Sequence, residues 1–369
     1  MPQRILQFGT SRFLQAHVDL MVHQARQSGQ DIGPITVVKT SPGTDRDDRV
    51  QHLARAEGFA VSIRGLVNGS PVSQDHRVTS IAAALHATQD WARLVALFAT
   101  GIEIVVSNTA ESGFDIAPSD RLLAYAAPGI PTSFPGKLLA LLAARFASGG
   151  QPLLILPCEL IAYNGQVLRE LLQGLADDWR APAPFADWLA ASVTVCNTLV
   201  DRIVPAEIKP VGAVAEPYAL WAIQSQAPLP FTHPAMIRCD DLEPFLRLKL
   251  HILNLGHSFL AQTWQSTGRP AAETVRDIMA DPVTRRALLQ LYDAEVVPGF
   301  ARHGMEAAAR AYVAETIDRF DNPFLAHPLR DIHQNHAIKI SRRVAAFVTW
   351  VHQKDATLPL PQLEALCAL

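Results

Sequence analysis

Arg4-Ile5-Leu6-Gln7-Phe8-Gly9, near the start of the chain, has the pattern of a short buried strand that ends on a glycine. The residues that follow, Arg12–Val22, place apolar side chains at helical spacing, and the β-branched run Pro34–Val38 predicts a second strand. A strand, a turn, a helix and a strand within about forty residues form the βαβ unit of a parallel sheet. This stretch therefore predicts an α/β fold.

The rest of the chain divides into two parts with different patterns. Strand-like segments at Glu103–Ser107 and Leu153–Pro157, with the Leu- and Ala-rich helix Pro135–Phe146 between them, extend the alternation of strands and helices. The stretch Pro205–Pro244 is rich in proline, which favours a surface connection that leads into a second domain. From Leu242 onward the pattern is helical: Leu246–Trp264, Ala272–Met279, Pro282–Val297, Gly304–Phe320 and His336–Lys354. We predict a Rossmann-like doubly wound domain over residues 1–238 and an all-α domain over residues 239–369.

Composition narrows the class of protein. A chain of 369 residues with 49% apolar and 18% charged residues has ample material for two cores. The net charge of -3 gives no electrostatic reason to expect a nucleic acid or an anionic membrane as partner. The N-terminus shows no signal-peptide pattern, and the four cysteines form no CxxC pair. We expect a cytoplasmic protein without disulfides, either a monomer or a homodimer, that binds a small molecule.

Gly9 stands where a dinucleotide-binding fold places its phosphate turn. The second glycine of that fingerprint is replaced by Ser11, and an ordinary turn with Ser11 as helix N-cap explains the same residues. After the second strand, Lys39 replaces the usual acidic residue. A lysine there suits a 2′-phosphate, or it is simply a solvated strand end, so NAD(H) and NADP(H) both remain open.

Lys249, Asn254 and His257 are three polar residues on an otherwise apolar helix. At about 100° per residue they fall within an arc of roughly 140°. A lysine on a buried face loses its proton more readily and suits a general base, an asparagine donates to a developing alkoxide, and a histidine orients hydroxyls. The alternative is equally compatible with the spacing: a lysine that reaches solvent, a capping asparagine and a core histidine.

These motifs, taken in order, resemble the mannitol dehydrogenase family of polyol-specific long-chain dehydrogenases. The similar stretches are Phe8–Phe13 with Ala16-His17, Ser107-Asn108-Thr109, Pro157–Leu160 with Asn164-Gly165, Leu199–Ile203, the Lys249–His257 helix, and Arg319–Pro323 with Lys339. The resemblance implies hydride transfer to or from NAD(P), with Lys249 as general acid and base, Asn254 as oxyanion donor, and no metal. The matching stretches imply cofactor contacts from Phe8, Gly9, Thr10, Ser11, Arg12, Phe13 and Asn108, to which Lys39 is added by its place after the second strand. Val200 and Asp201 are candidate substrate contacts; for Asp201 the alternative is a salt bridge with Arg202 or a helix cap.

Within the family, the Pro157–Gly165 stretch is most similar to the tagaturonate and fructuronate reductases, the hexuronate branch. Leu160 stands where mannitol dehydrogenases have an asparagine, and Asn164 is a candidate replacement, although Asn-Gly is also a common turn. Arg330 and Lys339 are candidates to bind a substrate carboxylate. Two alternatives stay open: a mannitol or arabinitol dehydrogenase, and a non-catalytic NAD(P)-binding sensor.

Overall fold

The computed structural model describes residues 3–41, 43, 47–109 and 111–368. It contains two compact units. The first comprises Met1–Ser62, Asp75–Ala215 and Ala219–Leu242; the second comprises Ile63–Gln74, Glu216–Tyr218 and Glu243–Leu369. The second unit therefore includes two short excursions from the part of the chain before Glu243 that no local sequence pattern marks.

A six-stranded parallel sheet forms the centre of the first unit. Its strands, in chain order, are Gln3–Phe8, Ile32–Lys39, Ile81–His86, Ile104–Ser107, Leu153–Pro157 and Val193–Val195. Numbered in that order, they lie side by side as 3-2-1-4-5-6, and every pair is parallel. This is the strand order of a doubly wound dinucleotide-binding fold, in which ligands bind at the carboxyl ends of the strands near the first one. The predicted Rossmann-like architecture is confirmed.

The sheet is covered by helices whose apolar faces build the core. They are Arg12–Leu14 continued by the π turn Gln15–Asp19 and by Leu20–Gln27, then Asp47–Leu53, Trp91–Thr100, Phe134–Ala147, Asn164–Asp178 and Ala183–Ser192, with 3₁₀ turns at Glu111–Phe114 and Pro118–Leu122. Phe134–Ala147 is buried along most of its length, which explains why its sequence is almost continuously apolar. Its N-cap, Ser133, accepts a hydrogen bond from the backbone N–H of Gly136.

Two smaller sheets replace the surface connection predicted for Pro205–Pro244. One has the strand order Ala206–Glu207, Gly212–Ala215, Phe59–Val67, Ser70–Val78, and the other has the order Met236–Cys239, Leu220–Gln224, Thr198–Asp201. The prediction was wrong here because the prolines lie between these short strands rather than within them. Each proline interrupts the alternation of residues that predicts a strand, but it does not prevent the short strands from pairing in a sheet.

The second unit is helical apart from its two excursions, as predicted. Its helical segments are Glu243–Leu248, the π turn Lys249–Leu253, Asn254–Ser266, Val275–Met279, Pro282–Leu291, the π turn Tyr292–Val296, Val297–Ala301, Glu306–Phe320, Leu329–His333, His336–Ile340, the π turn Ser341–Ala345, Ala346–His352 and Pro361–Cys367. One cluster of buried side chains, from Leu248 to Leu366, joins them. Among the described residues, no helix is long and apolar enough to cross a membrane.

Asp19, at the end of the first π turn, is completely buried, and no described residue makes a hydrogen bond of normal geometry to its carboxyl oxygens. Burial raises the pKa of Asp19 well above its ordinary value, and the neighbouring Gln7 side chain offsets only part of this effect. Because the folded-state pKa exceeds the unfolded-state one, the contribution of Asp19 to the stability of the protein falls as the pH rises from the unfolded-state pKa to the folded-state pKa.

We expect Asp19→Asn to remove this pH dependence. Within that window, the variant should gain about 1.4 kcal/mol of unfolding free energy over wild type for each pH unit. Urea unfolding at several pH values measures the difference, with the exposed Asp31 changed to Asn as control. Parallel stability curves for Asp19→Asn and wild type would show that Asp19 is ionised in the folded protein.

Candidate active site

The turn after the first strand brings together Gly9, Ser11 and Asn108. Gly9 has φ +119°, and a Cβ at this position would lie 2.6 Å from the carbonyl oxygen of Asn108, so only glycine fits. Ser11 is the N-cap of the next helix and accepts a hydrogen bond from the backbone N–H of Leu14, as the alternative interpretation predicted. Its hydroxyl also donates to the Asn108 side-chain oxygen at 3.3 Å. The turn and the end of the fourth strand of the sheet are thus tied to one another.

The other residues predicted at this turn contribute in different ways. The Phe8 side chain lies in the core against Phe134, with ring centroids 5.1 Å apart, so a cofactor contact from this side chain is excluded by its burial. The carbonyl of Thr10 accepts a hydrogen bond from the Gln15 side chain. Arg12 is exposed, and Phe13 stacks on His17 at 4.9 Å.

Glu159 is a residue of this region that the sequence analysis did not single out. Its carboxylate accepts hydrogen bonds from the Ser107 hydroxyl and from the backbone N–H and hydroxyl of Thr109, each at 3.0 Å. Burial raises the pKa of Glu159, and these hydrogen bonds offset part of the rise. Glu159 therefore fastens the loop that carries Asn108 to the end of the fifth strand. The residues of this contact belong to two motifs of the sequence, Ser107-Asn108-Thr109 and Pro157–Leu160. The sequence pattern does not show that these two motifs are close together in space.

Asn164 has a structural role rather than the predicted contact with the substrate. Its side chain is fully buried, donates to the carbonyls of Pro157 and Glu159, and accepts from the backbone N–H of Thr198 at 2.9 Å. These bonds occupy the amide group, which leaves no donor for a substrate oxygen. Leu160 is 63% exposed in the loop that precedes it. Neither residue replaces the asparagine of the mannitol branch.

Lys39 is buried rather than solvated, contrary to one of the two interpretations. Its Nζ donates to Asp47 at 2.6 Å and to the carbonyl of Gly43 at 2.7 Å. The ion pair with Asp47 neutralises the charge that a 2′-phosphate would need. Val200 and Asp201 close the strand Thr198–Asp201, and both are buried.

The second unit carries Lys249, Asn254 and His257 on consecutive turns. A π turn, Lys249–Leu253, interrupts the helix, and the backbone N–H of Asn254 bonds to the carbonyls of Lys249 and Leu250. A bond from residue i to residue i+5 places Asn254 nearly above Lys249, as residue i+4 lies above residue i in an α-helix. The angle between Lys249 and Asn254 about the helix axis is therefore smaller than the roughly 140° that separates them in a regular α-helix. His257 is buried, with its ring 4.7 Å from Phe320 and 4.9 Å from His327.

A group of cations lies in the same unit. Lys339 is one turn before Arg343, and Arg343 donates to the Asn254 carbonyl at 3.2 Å. Burial, with the charge of Arg343, lowers the pKa of Lys339. Burial also lowers the pKa of His327, an effect that Asp331 opposes and Lys339 reinforces. Lys339 uses one of its donors on the carbonyl of Ile332 at 2.6 Å. We call Lys339 and Arg343, together with the neighbouring neutral ring of His327, the cationic cluster.

Arg330, the other residue predicted to bind a carboxylate, is a surface residue. Its side chain is 63% exposed and pairs only loosely with its neighbour Asp331, at 3.6 Å. An exposed arginine that shares its charge with an adjacent carboxylate contributes little to binding. The cationic cluster is formed by Arg343 in its place, a residue that sequence reasoning did not select because its charge looks like that of any helix-surface arginine.

Two family models match the chain almost end to end. The mannitol dehydrogenase Rossmann domain matches residues 3–233, and the mannitol dehydrogenase C-terminal domain matches residues 241–368. The chain belongs to the mannitol dehydrogenase family, and the resemblance seen in its motifs is confirmed. It is an NAD-dependent dehydrogenase that acts on CH–OH groups of a polyol or sugar acid.

Relatives agree with the family assignment, and solved structures of lower identity share the fold. The chain is 30% identical over 368 residues to altronate oxidoreductase of Halalkalibacterium halodurans, covering 93% of this chain and 70% of that protein. It is 31% identical over 398 residues to altronate oxidoreductase of Klebsiella pneumoniae, covering 100% and 79%. Among solved structures, D-sorbitol dehydrogenase superposes with a TM-score of 0.78 at 19% identity, covering 94% and 76%. Mannitol 2-dehydrogenase of Pseudomonas fluorescens, in a ternary complex with NAD and D-mannitol, superposes with a TM-score of 0.73 at 21% identity, covering 100% and 79%.

The first unit has a place that fits NAD. The missing side chain of Gly9 leaves room for close backbone approach at the carboxyl end of the first strand. The helical run that begins at Arg12 directs its first N–H groups toward this turn, as pyrophosphate binding requires. Gly9, Ser11 and Asn108 are the residues that would hold the cofactor.

Proposed function

We propose that this dehydrogenase interconverts a hexonic acid of the altronate type and its keto acid, tagaturonate, with NAD(H) as cofactor. By their formulas the two acids differ by the oxidation of one hydroxyl-bearing carbon to a ketone. The names of relatives in two different bacteria support this substrate class. The Pro157–Gly165 stretch, which resembles the hexuronate branch, supports it independently.

The observation that carries the proposal is the cationic cluster beside the catalytic helix. Arg343 bonds to the backbone carbonyl of Asn254, so positive charge lies next to one of the three proposed catalytic residues, and the neutral ring of His327 contacts a second one, His257. Burial lowers the pKa of both Lys339 and His327, and a neighbouring cation adds to the effect in each case. An anion bound to Lys339 would offset the cost of holding its charge there. A sugar acid brings a carboxylate, whereas a neutral polyol does not. We assign Lys339 as the group that binds the substrate carboxylate.

The roles of the catalytic residues follow from their chemistry. When bound, NADH supplies a hydride to the carbonyl carbon of the keto acid. Lys249 then gives its proton to the developing alkoxide, and it removes that proton in the opposite direction. The Asn254 amide, which has no hydrogen-bond partner among the described residues, donates to the same oxygen. His257 orients a neighbouring hydroxyl, and Val200 and Asp201 are proposed to contact other substrate hydroxyls.

Preference for NAD(H) over NADP(H) follows from the Lys39–Asp47 pair. The carboxylate of Asp47, at the start of the helix Asp47–Leu53, is 26% exposed and pairs with Lys39 at the end of the second strand, where the adenosine ribose binds in this fold. A carboxylate accepts hydrogen bonds from ribose hydroxyls and repels a 2′-phosphate. The cysteines are all free thiols, which is consistent with the cytoplasmic location that we include in the proposal.

Lys339→Met tests the substrate class. With tagaturonate as substrate we expect KM to rise by about 10- to 150-fold, which corresponds to a charge-assisted hydrogen bond of about 1.5–3 kcal/mol. Turnover of neutral fructose and xylulose, where measurable, should change by less than about threefold, because these ketoses lack the carboxylate. Lys339→Arg should recover most of the affinity, and Lys354→Met, at an exposed lysine of the same unit, is the matched control.

Three outcomes would contradict the proposal. Turnover of fructose or xylulose alone would place the enzyme with the mannitol or arabinitol dehydrogenases. Turnover of fructuronate but not of tagaturonate would retain the proposal that the substrate carries a carboxylate, but it would contradict the assignment of the altronate and tagaturonate pair. Binding of NADH without turnover of any of these compounds would favour a non-catalytic sensor.

A further inference from the structure

The π turn Lys249–Leu253 is braced from two distant parts of the chain. The hydroxyl of Tyr292 donates to the carbonyl of Ile252 at 2.9 Å, inside the turn. A guanidinium N–H of Arg343 donates to the carbonyl of Asn254 at 3.2 Å, directly after the turn, and to the Ser258 hydroxyl at 3.0 Å. A π turn disturbs the regular ladder of backbone bonds, so its carbonyls need donors from elsewhere.

Two further features fit this brace. The His251 ring, within the turn, bonds through Nδ1 to the carbonyl of Arg343 at 2.9 Å, so this nitrogen carries the proton. Burial lowers the pKa of His251 to about 4, which keeps the ring neutral and the bond directional. A Cβ at Gly256 would lie 2.0 Å from the Tyr292 hydroxyl, so the glycine makes the space in which this hydroxyl reaches the turn.

The brace determines the geometry of the reacting groups. If the turn relaxed to a regular α-helix, Lys249 would rotate about the helix axis relative to Asn254, toward an angular separation of roughly 140°. A lysine that protonates an oxygen and an amide that donates to the same oxygen have to point to one place. We propose that Tyr292 and Arg343 are positioning residues that hold Lys249–Leu253 in its π form and so direct Lys249 and Asn254 to one oxygen. The inference rests on the catalytic roles proposed for these two residues.

Tyr292→Phe tests the inference, because it keeps the ring and removes the bond to Ile252. We expect kcat for tagaturonate reduction to fall by about 10- to 100-fold, as misplacement of a reacting group does, while KM changes by less than about threefold. The pH profile of kcat should also move, since the proton transfer is what the turn positions. The dissociation constant of NADH, which binds to the other unit, should stay within about twofold of the wild-type value.

Two companion variants and a control sharpen the test. Arg343→Lys keeps the charge but replaces the planar guanidinium that donates to Asn254 and Ser258, so kcat should fall with little change in KM. This variant also tests the inference if Tyr292→Phe does not fold. Gly256→Ala should lower kcat by itself. The same substitution should lower kcat by a smaller factor in the Tyr292→Phe background, because the hydroxyl oxygen with which the new Cβ would clash is absent there. Thr263→Val, which removes a hydroxyl bonded to a carbonyl of the same helix outside the turn, should leave kcat within about twofold of wild type.

Different results would contradict the positioning role of Tyr292 and Arg343 and the proposed catalytic chemistry. Wild-type kcat and an unmoved pH profile in both Tyr292→Phe and Arg343→Lys, with an inactive Lys249→Ala, would overturn the inference alone. An active Lys249→Ala would remove the proposed chemistry and the inference with it.

Discussion

Lys249→Ala is expected to lower kcat for tagaturonate reduction by about 10²- to 10⁴-fold, the usual contribution of a general acid or base. Lys249 begins the π turn, half-buried, and its carbonyl accepts the backbone N–H of Asn254. The truncated side chain would leave the backbone bond in place and remove the ammonium group that donates the proton. Hydride transfer would then generate an alkoxide that has no acid to neutralise it.

The measurement is steady-state turnover in both directions, together with NADH binding. The dissociation constant of NADH should be unchanged, which separates a chemical defect from loss of fold. An exposed lysine of the same unit, Lys354, provides the matched control as Lys354→Ala. Addition of a small primary amine should restore part of the activity if the missing group is an amine. A turnover number within threefold of wild type would contradict the assignment of Lys249.

Asn254→Ala is expected to lower kcat by about 10²- to 10³-fold, as loss of one oxyanion donor does in other enzymes. The backbone carbonyl of Asn254, rather than its side chain, bonds to Arg343. Truncation of the side chain therefore removes the donor without removing the brace of the π turn. Because Leu160 cannot donate and the Asn164 amide is occupied, neither should compensate.

Asn254→Asp makes the test more specific. It keeps the shape of the side chain but replaces the donor by a carboxylate, which would repel a developing oxyanion, so its defect should be at least as large as that of the alanine variant. Gln265→Ala, at an exposed amide on the same helix, is the control and should be neutral. An aspartate variant more active than the alanine variant would show that Asn254 does not donate to the substrate oxygen.

The two residues are also expected to behave as a unit. Lys249 and Asn254 are proposed to act on the same oxygen, and residues that act together give strongly non-additive effects. The double variant should therefore be less impaired than the product of the two single effects. Multiplicative effects would indicate that the groups act in separate steps.

The sequence alone determined the class of fold and the chemistry of the helix. Hydrophobic periodicity records which face of a segment is buried, so the strands near Phe8, Val38, Ser107 and Pro157 and the helical second half could be predicted from local pattern. The types and order of Lys249, Asn254 and His257 likewise identified a candidate acid, a donor and an orienting group, and their resemblance to a known family followed from the same residues.

Only the tertiary structure decided how these groups are held. The charge of Lys39 is neutralised by Asp47, and the side-chain amide of Asn164 is bonded to Pro157, Glu159 and Thr198. The hydrophobic periodicity of the sequence shows neither set of contacts. The clearest case is the π turn: one extra residue shifts the phase of the helix once, by roughly 100°, and the short apolar pattern on either side does not show where that shift falls. Its bracing donors, Tyr292 and Arg343, are separated from Ile252 and Asn254 by 40 and 89 positions. A local pattern reports burial, whereas the hydrogen bonds that fix a reacting geometry join residues that only folding brings together.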